Sequence, residues 1–121
     1  MRTRLARDYA LHPRLRVRVG EEIALGPGKA ELLKLVQQTG SITEAAKHME
    51  MSYMRAWTLI QTMNRCFKEP LVLTTRGGQR GGGAALTESG RKALEAYQEM
   101  EKAAMRAMAA QWRQLCRLLR G

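Results

Sequence analysis

Between Ser52 and Thr62 the chain carries side chains suited to reading base edges: Ser52, Tyr53, Met54, Arg55, Thr58, Gln61 and Thr62. An arginine can donate two parallel hydrogen bonds to guanine, a pairing that discriminates by about 1–3 kcal/mol. Tyr53 and Met54 offer apolar surface to a thymine methyl. The hydroxyls and amide of Ser52, Thr58, Gln61 and Thr62 can bond phosphates or base edges. A second run places Arg76, Gln79 and Arg80 among the glycines of residues 77–83. Glycine lets a backbone approach a polyanion closely, and arginine supplies charge and senses groove width. This run lacks a P-loop pattern, so it does not read as a nucleotide cradle.

The other reactive residues form no catalytic pattern. Ser41, Ser52, Thr87 and Glu44 fall where helix ends need caps. With no Ser/His/Asp set, carboxylate pair or metal triad visible, the chain reads as a non-enzyme with no cofactor and no metal site. Cys66 and Cys116 lack CxxC spacing, and His12 and His48 stand apart from them. That suits reduced thiols in the cytoplasm. Cys66 is expected to be a small buried hydrophobe. A metal-handling or sensor subunit is one alternative, motivated by eight methionines with Cys66, Cys116 and His48. Against it, Met105 and Met108 sit at the helical spacing of packing residues.

Lysine and arginine number 21 against 11 acids in 121 residues, a net charge of +10. The sequence pI is about 10.5. Such an excess favours a polyanionic partner, because each neutralised phosphate releases condensed counterions. An architectural or RNA-binding protein would need stacking platforms, and one Phe and three Tyr are few for that. No apolar run reaches the roughly 18 residues of a membrane span, and no signal peptide is visible. We therefore expect a cytoplasmic protein with no membrane partner.

The elements that must position these residues follow from periodicity. Residues 1–13 form a basic arm carrying Arg2, Arg4 and Arg7. Leu15, Val17 and Val19 alternate with Arg14, Arg16 and Arg18, which predicts a strand buried on one face. Gly20 and Glu21 suit a tight turn into a return strand with Ile23 and Leu25. After Gly26-Pro27-Gly28, Ala30, Leu33, Val36 and Gln37 have helical spacing, widened by Leu32 and Leu35, as far as Thr39-Gly40. Ser41 and Glu44 predict a reciprocal capping box for a helix over about 42–49, with Ala45, Ala46 and Met49 inward. Ser41 and Thr43 at its start are candidate phosphate contacts.

Ser52 caps a helix over about 53–68. Ala56, Ile60, Met63 and Phe67 face inward, Trp57 and Asn64 lie on its flanks, and Met54, Thr58, Gln61 and Arg65 face outward. Strands at 71–75 and 84–86 bracket the glycine-rich tip. Thr87 then caps a helix that could run unbroken to about Leu119, roughly 45–50 Å. Its stripe of Leu94, Tyr97, Met105, Met108, Trp112, Leu115 and Leu119 asks for a partner helix, most simply that of a second subunit.

Taken together, the order predicts a mainly α protein with small β-hairpins (α+β), a winged helix-turn-helix with a long C-terminal dimerisation helix. Residues 14–86 would be the DNA-binding domain and 87–121 the dimerising helix.

Residues 40–90 resemble the N-terminal DNA-binding domain of ModE-type molybdate-responsive regulators, itself related to LysR-type heads. Gly40-Ser41-Ile42, Ala45-Ala46, Met51-Ser52-Tyr53, Ala56-Trp57, Met63-Asn64 and Phe67 carry the likeness. It continues through Pro70-Leu71-Val72, Gly77-Gly78, Gly81-Gly82-Gly83-Ala84, Leu86-Thr87 and Gly90, with Leu25-Gly26-Pro27-Gly28 and Glu31-Leu32-Leu33 upstream. The resemblance implies a winged helix with a dimerising linker helix. Molybdate-sensing members carry C-terminal oxyanion-binding domains, whereas this sequence stops at Gly121, so no molybdate site is carried over. Glu50 stands where such turns commonly hold glycine; a left-handed Glu50 would cost on the order of 1 kcal/mol.

These readings converge on a homodimeric, sequence-specific regulator of transcription that binds double-stranded DNA. Molybdenum- or metal-related genes are its targets by family analogy. A heterodimer with a full-length ModE-type relative is a further expected partner.

Overall fold

The computed structural model describes residues 9–75 and 83–120. The chain opens with an antiparallel hairpin of β1 (Val17–Val19) and β2 (Glu22–Leu25), closed by Gly20 and Glu21 with Gly20 at φ 61°. The expectation of a strand buried on one face fails for β1. Val17 and Val19 are 37% and 51% exposed, while Ala24 and Leu25 of β2 are buried. A two-stranded ribbon can dock through one strand alone, and β2 is the one laid against the helices. Leu15, just before β1, is held to the core by its carbonyl, which accepts a 2.7 Å hydrogen bond from the Tyr97 hydroxyl.

Three helices follow. α1 (Pro27–Thr39) starts with proline in its first turn, where the missing N–H costs nothing. It buries Ala30, Leu32, Leu33 and Val36, leaves Gln37 exposed, and ends on left-handed Gly40, whose N–H reaches Val36 O at 2.8 Å. α2 (Ile42–His48) is capped by Ser41 Oγ, which accepts the Glu44 N–H at 3.0 Å. The expected return half of the capping box does not form. Thr39 Oγ1 takes the Ser41 N–H at 3.2 Å, and the Glu44 carboxylate pairs with Lys47 at 3.6 Å.

α3 (Tyr53–Cys66) begins at Ser52, whose Oγ accepts the Arg55 N–H at 3.0 Å. It stops two residues short of the expected Lys68, because Phe67 is already extended at φ −108°, ψ 159°. Asn64 ties the next segment to the helix: its Oδ1 accepts from Leu71 N at 2.8 Å and Val72 N at 3.2 Å. Its Nδ2 donates to Val72 O at 3.1 Å. Strands β3 (Val72–Thr75) and β4 (Gly83–Leu86) then pair antiparallel, Val72 opposite Leu86 and Thr75 opposite Gly83. The Ala84 N–H bonds Gly40 O at 3.0 Å, which fastens this hairpin to the turn between α1 and α2.

Thr87 caps α4 (Glu88–Ala107) by accepting the Gly90 N–H at 2.9 Å while donating to Pro70 O at 2.7 Å. The predicted unbroken rod is interrupted at Met108 (φ −96°, ψ 1°), after which α5 (Ala109–Cys116) resumes. The Tyr9 hydroxyl donates to Arg120 O at 2.6 Å. The arm from Leu15 back to Tyr9 is thus held at both ends, by Tyr97 and by Arg120. The arm is therefore tethered at its described end, with Leu11, His12 and Pro13 beside Glu101, Lys102 and Met105.

One core joins β2, α1–α3, both wing strands and the first turns of α4, with no buried polar or charged residue among those described. Leu94 and Tyr97 are 3% and 1% exposed inside it. Both were expected at a subunit interface, and burial in the protomer's own core removes them from that surface.

Candidate nucleic-acid interface

The inner face of α3 is consumed by the core through Ala56, Ile60 and Met63. What remains outward at its first turns is Ser52, Tyr53, Met54, Arg55, Trp57 and Thr58, all exposed. Gln61 and Thr62 are half-buried one to two turns further along. Of the expected reading residues, the structure thus brings five to one exposed ridge and sets two deeper. Trp57, placed on a flank by helical angle alone, joins that ridge at 39% exposure. Arg65, on the same outward face, is drawn sideways to Glu22 of β2 at 3.0 Å.

At the start of α2, Thr43 is exposed and Ser41 half-buried, its oxygen accepting the Glu44 N–H as the cap. Wing residues Arg76, Gln79 and Arg80 lie outside the described residues, as do Arg2, Arg4 and Arg7. Strands β3 and β4, on either side of that run in sequence, are tied to α3 on the edge where Asn64 sits.

The opposite edge of α3 was not foreseen as functional. There a cleft of about 310 Å³ is lined by Arg14, Arg16, Lys29 and Arg55, with Met49 and Met51 among its walls. Burial lowers the Lys29 pKa from its ordinary value, nearby Cys66 and Glu22 raise it, and Arg55 lowers it further. The alternation of Arg14 and Arg16 was the available signal, yet nothing local in sequence links them to Lys29 or Arg55.

Cys66 departs from the expected buried hydrophobe. It is half-exposed, and its Sγ lies 3.6 Å from Glu22 Oε1. Its pKa is raised, first by desolvation and then by that contact. Among the described residues no group of three or more His, Cys, Asp and Glu side chains could hold a metal ion.

On the C-terminal helices, Met105, Met108 and Trp112 are half-buried. Leu115, Leu118 and Leu119 are 51%, 81% and 42% exposed. Among the described residues no helix is long and apolar enough to cross a membrane.

Residues 29–91 match the family described as bacterial regulatory helix-turn-helix protein, lysR family, and the match spans α1 to the first turn of α4. The chain belongs to that family. Within this lysR-type head, Ser52–Arg55 and Thr58 occupy the outward start of the second helix of the helix-turn-helix. The β1–β2 hairpin with Arg14 and Arg16, and all of α5, lie outside the matched residues.

Among curated relatives, the chain is 36% identical over 88 residues to the transcriptional regulator ModE of Haemophilus influenzae, covering 73% of this chain and 34% of that protein. It is 42% identical over 78 residues to the molybdenum transport protein ModE of Azotobacter vinelandii, covering 64% and 29%. The chain thus spans about a third of the length of these relatives. A mutant of S. aureus MepR bound to an oligodeoxyribonucleotide shares the winged-helix fold, with a TM-score of 0.55 and 21% identity, over 69% of this chain and 62% of that one.

Proposed function

We propose that the protein is a sequence-specific regulator of transcription that binds double-stranded DNA. The observation that carries this reading is the exposed ridge Tyr53–Thr58, whose helix is fixed from behind by a core of the lysR-type head. A helix so held can enter a major groove with its first turns. Arg55 would read guanine, and Tyr53 and Met54 would meet thymine methyls. Ser52, Thr58, Gln61 and Thr62 would bond phosphates or base edges. Thr43 and Ser41 at α2, with Arg76, Gln79 and Arg80 on the wing, would hold the backbone.

The similarity to ModE proteins supports molybdenum-related genes as targets. The role is binding rather than catalysis, since the hydroxyls a nucleophile would need are engaged as caps at Ser41, Ser52 and Thr87. The cytoplasm is the compartment that suits such a role.

We further propose a homodimer, in which Met105, Met108, Trp112, Leu115 and Leu119 pair the C-terminal segments beyond Tyr97. Leu115 on α5 and Leu118 and Leu119 just after it, all left exposed, favour it. A full-length ModE-type relative would fit the same surface as a heterodimer partner.

The test is an anisotropy titration against fragments recovered by genomic binding-site mapping, from cells grown with and without molybdate. Preference for recovered fragments over random duplex is expected, and Arg55→Ala should erase roughly tenfold or more of it, the equivalent of about 1–3 kcal/mol. Equal affinity for every duplex would end the sequence-specific reading.

A further inference from the structure

We propose that Arg14, Arg16 and Lys29, in the cleft that Arg55 borders, form a second phosphate-holding locus that grips the DNA backbone beside the recognition helix. This rests on the DNA-binding reading above and extends the contact surface to a hairpin outside the lysR-family match. Four cations enter one cleft of about 310 Å³ from three separate places: the approach to β1, the first turn of α1 and the first turn of α3.

Among the described residues no carboxylate lines the cleft. Glu22, whose charge acts on Lys29, already holds Arg65 in a 3.0 Å ion pair. An unneutralised cluster of like charge is self-repulsive, and a polyanion relieves it. Arg16 Cγ lies beside Gly26, where a Cβ would come within 3.5 Å of it.

Position selects the polyanion. The walls Met49 and Met51 belong to the turn between α2 and α3, and Arg55 lies one turn from the cap of α3. The cleft is therefore continuous with the edge of the reading ridge, on the side away from Asn64 and strands β3 and β4. A helix seated in a major groove has a phosphate backbone along each border. With strands β3 and β4 toward one border, this cleft meets the other. The start of α1 adds its partial positive charge, for it carries no side-chain cap and no acid in its first turn.

The experiment needs no operator, because phosphate contacts are blind to sequence. Binding of the full chain to a random-sequence duplex is followed by anisotropy across a salt series. The proteins compared are wild type, R16Q, K29Q, R16K and the control K92Q. Lys92 is an exposed cation on α4, paired with Glu88 at 3.7 Å, and its loss lowers net charge equally.

Removing one phosphate-binding cation should flatten the slope of log K against log salt by about 0.9. R16Q and K29Q are expected to show that change, with R16K and K92Q close to wild type and all thermal midpoints alike. If R16Q and K29Q merely match K92Q while wild type binds, the locus is wrong and the DNA reading stands. If wild type fails to bind duplex, the DNA reading falls and takes the locus with it. If excess inorganic phosphate or molybdate at fixed ionic strength erases the difference between R16Q and wild type, the cleft holds a free oxyanion and the backbone assignment is overturned.

Discussion

Glu50 sits at φ 56°, the positive-φ position that the helix-turn-helix imposes between α2 and α3. A Cβ in that region crowds its own carbonyl, and glycine does not. Glu50→Gly should therefore raise stability by about 0.5–1 kcal/mol in urea unfolding, after its greater unfolded-state freedom is counted. Gly90 is the converse case. A Cβ there would collide with Leu71 O, a backbone atom that cannot swing aside. Gly90→Ala should lower stability by about 1–3 kcal/mol or more, read as a fall in thermal midpoint.

Tyr97 supplies a pH signature. Its pKa is raised above the ordinary 10.0, first by burial and then by Glu101. The folded state prefers the protonated phenol, so that stability is intact below pH 10.0 and is lost as pH climbs through the raised value. Lys29 works in the opposite sense nearby, because its lowered pKa makes the folded state shed a proton early. Comparing Tyr97→Phe with wild type isolates the phenol: the variant should lose part of the alkaline decline. An unchanged profile would show that Tyr97 does not govern it.

At the scale of elements, local rules explain a good deal. Ser41, Ser52 and Thr87 cap three successive helices as their types predict. Gly40 ends α1, and the inward positions of α3 follow the 3.6-residue period. What local rules miss is competition. Ser41 N–H has two possible acceptors, and Thr39 Oγ1 wins over Glu44, which a pattern of residue types cannot decide. Asn64 looked like a flank residue, yet it holds two backbone N–H groups and one carbonyl of the following segment. Asn64→Ala should cost about 1–3 kcal/mol by leaving those groups unpaired. Hydrogen exchange at Leu71 and Val72 should rise before that of the remaining core.

At the scale of the whole molecule, charge and the C-terminal helices set behaviour. The net charge of +10 implies binding that falls steeply with salt for any duplex. For the proposed dimer, a double change of Leu115→Glu and Leu119→Glu is the direct probe, since both side chains are exposed in the protomer and the core does not need them. Sedimentation should then show a monomer with an unchanged thermal midpoint of the head. Affinity for a two-half-site duplex should fall while that for a single half-site holds. A dimer that persists would move the interface elsewhere.

The sequence by itself determined the order of elements, the helix-turn-helix, its caps, the flanking hairpins and the basic balance. Each depends on neighbours within a few residues, where periodicity and capping chemistry act. Tertiary structure alone decided that β1 keeps its valines in solvent and that Leu94 and Tyr97 belong to the core. It also decided the break at Met108 and the convergence of Arg14, Arg16, Lys29 and Arg55. Those outcomes depend on which surfaces far apart in the chain pack together. A helical stripe or an alternating strand names its apolar face and leaves its partner open.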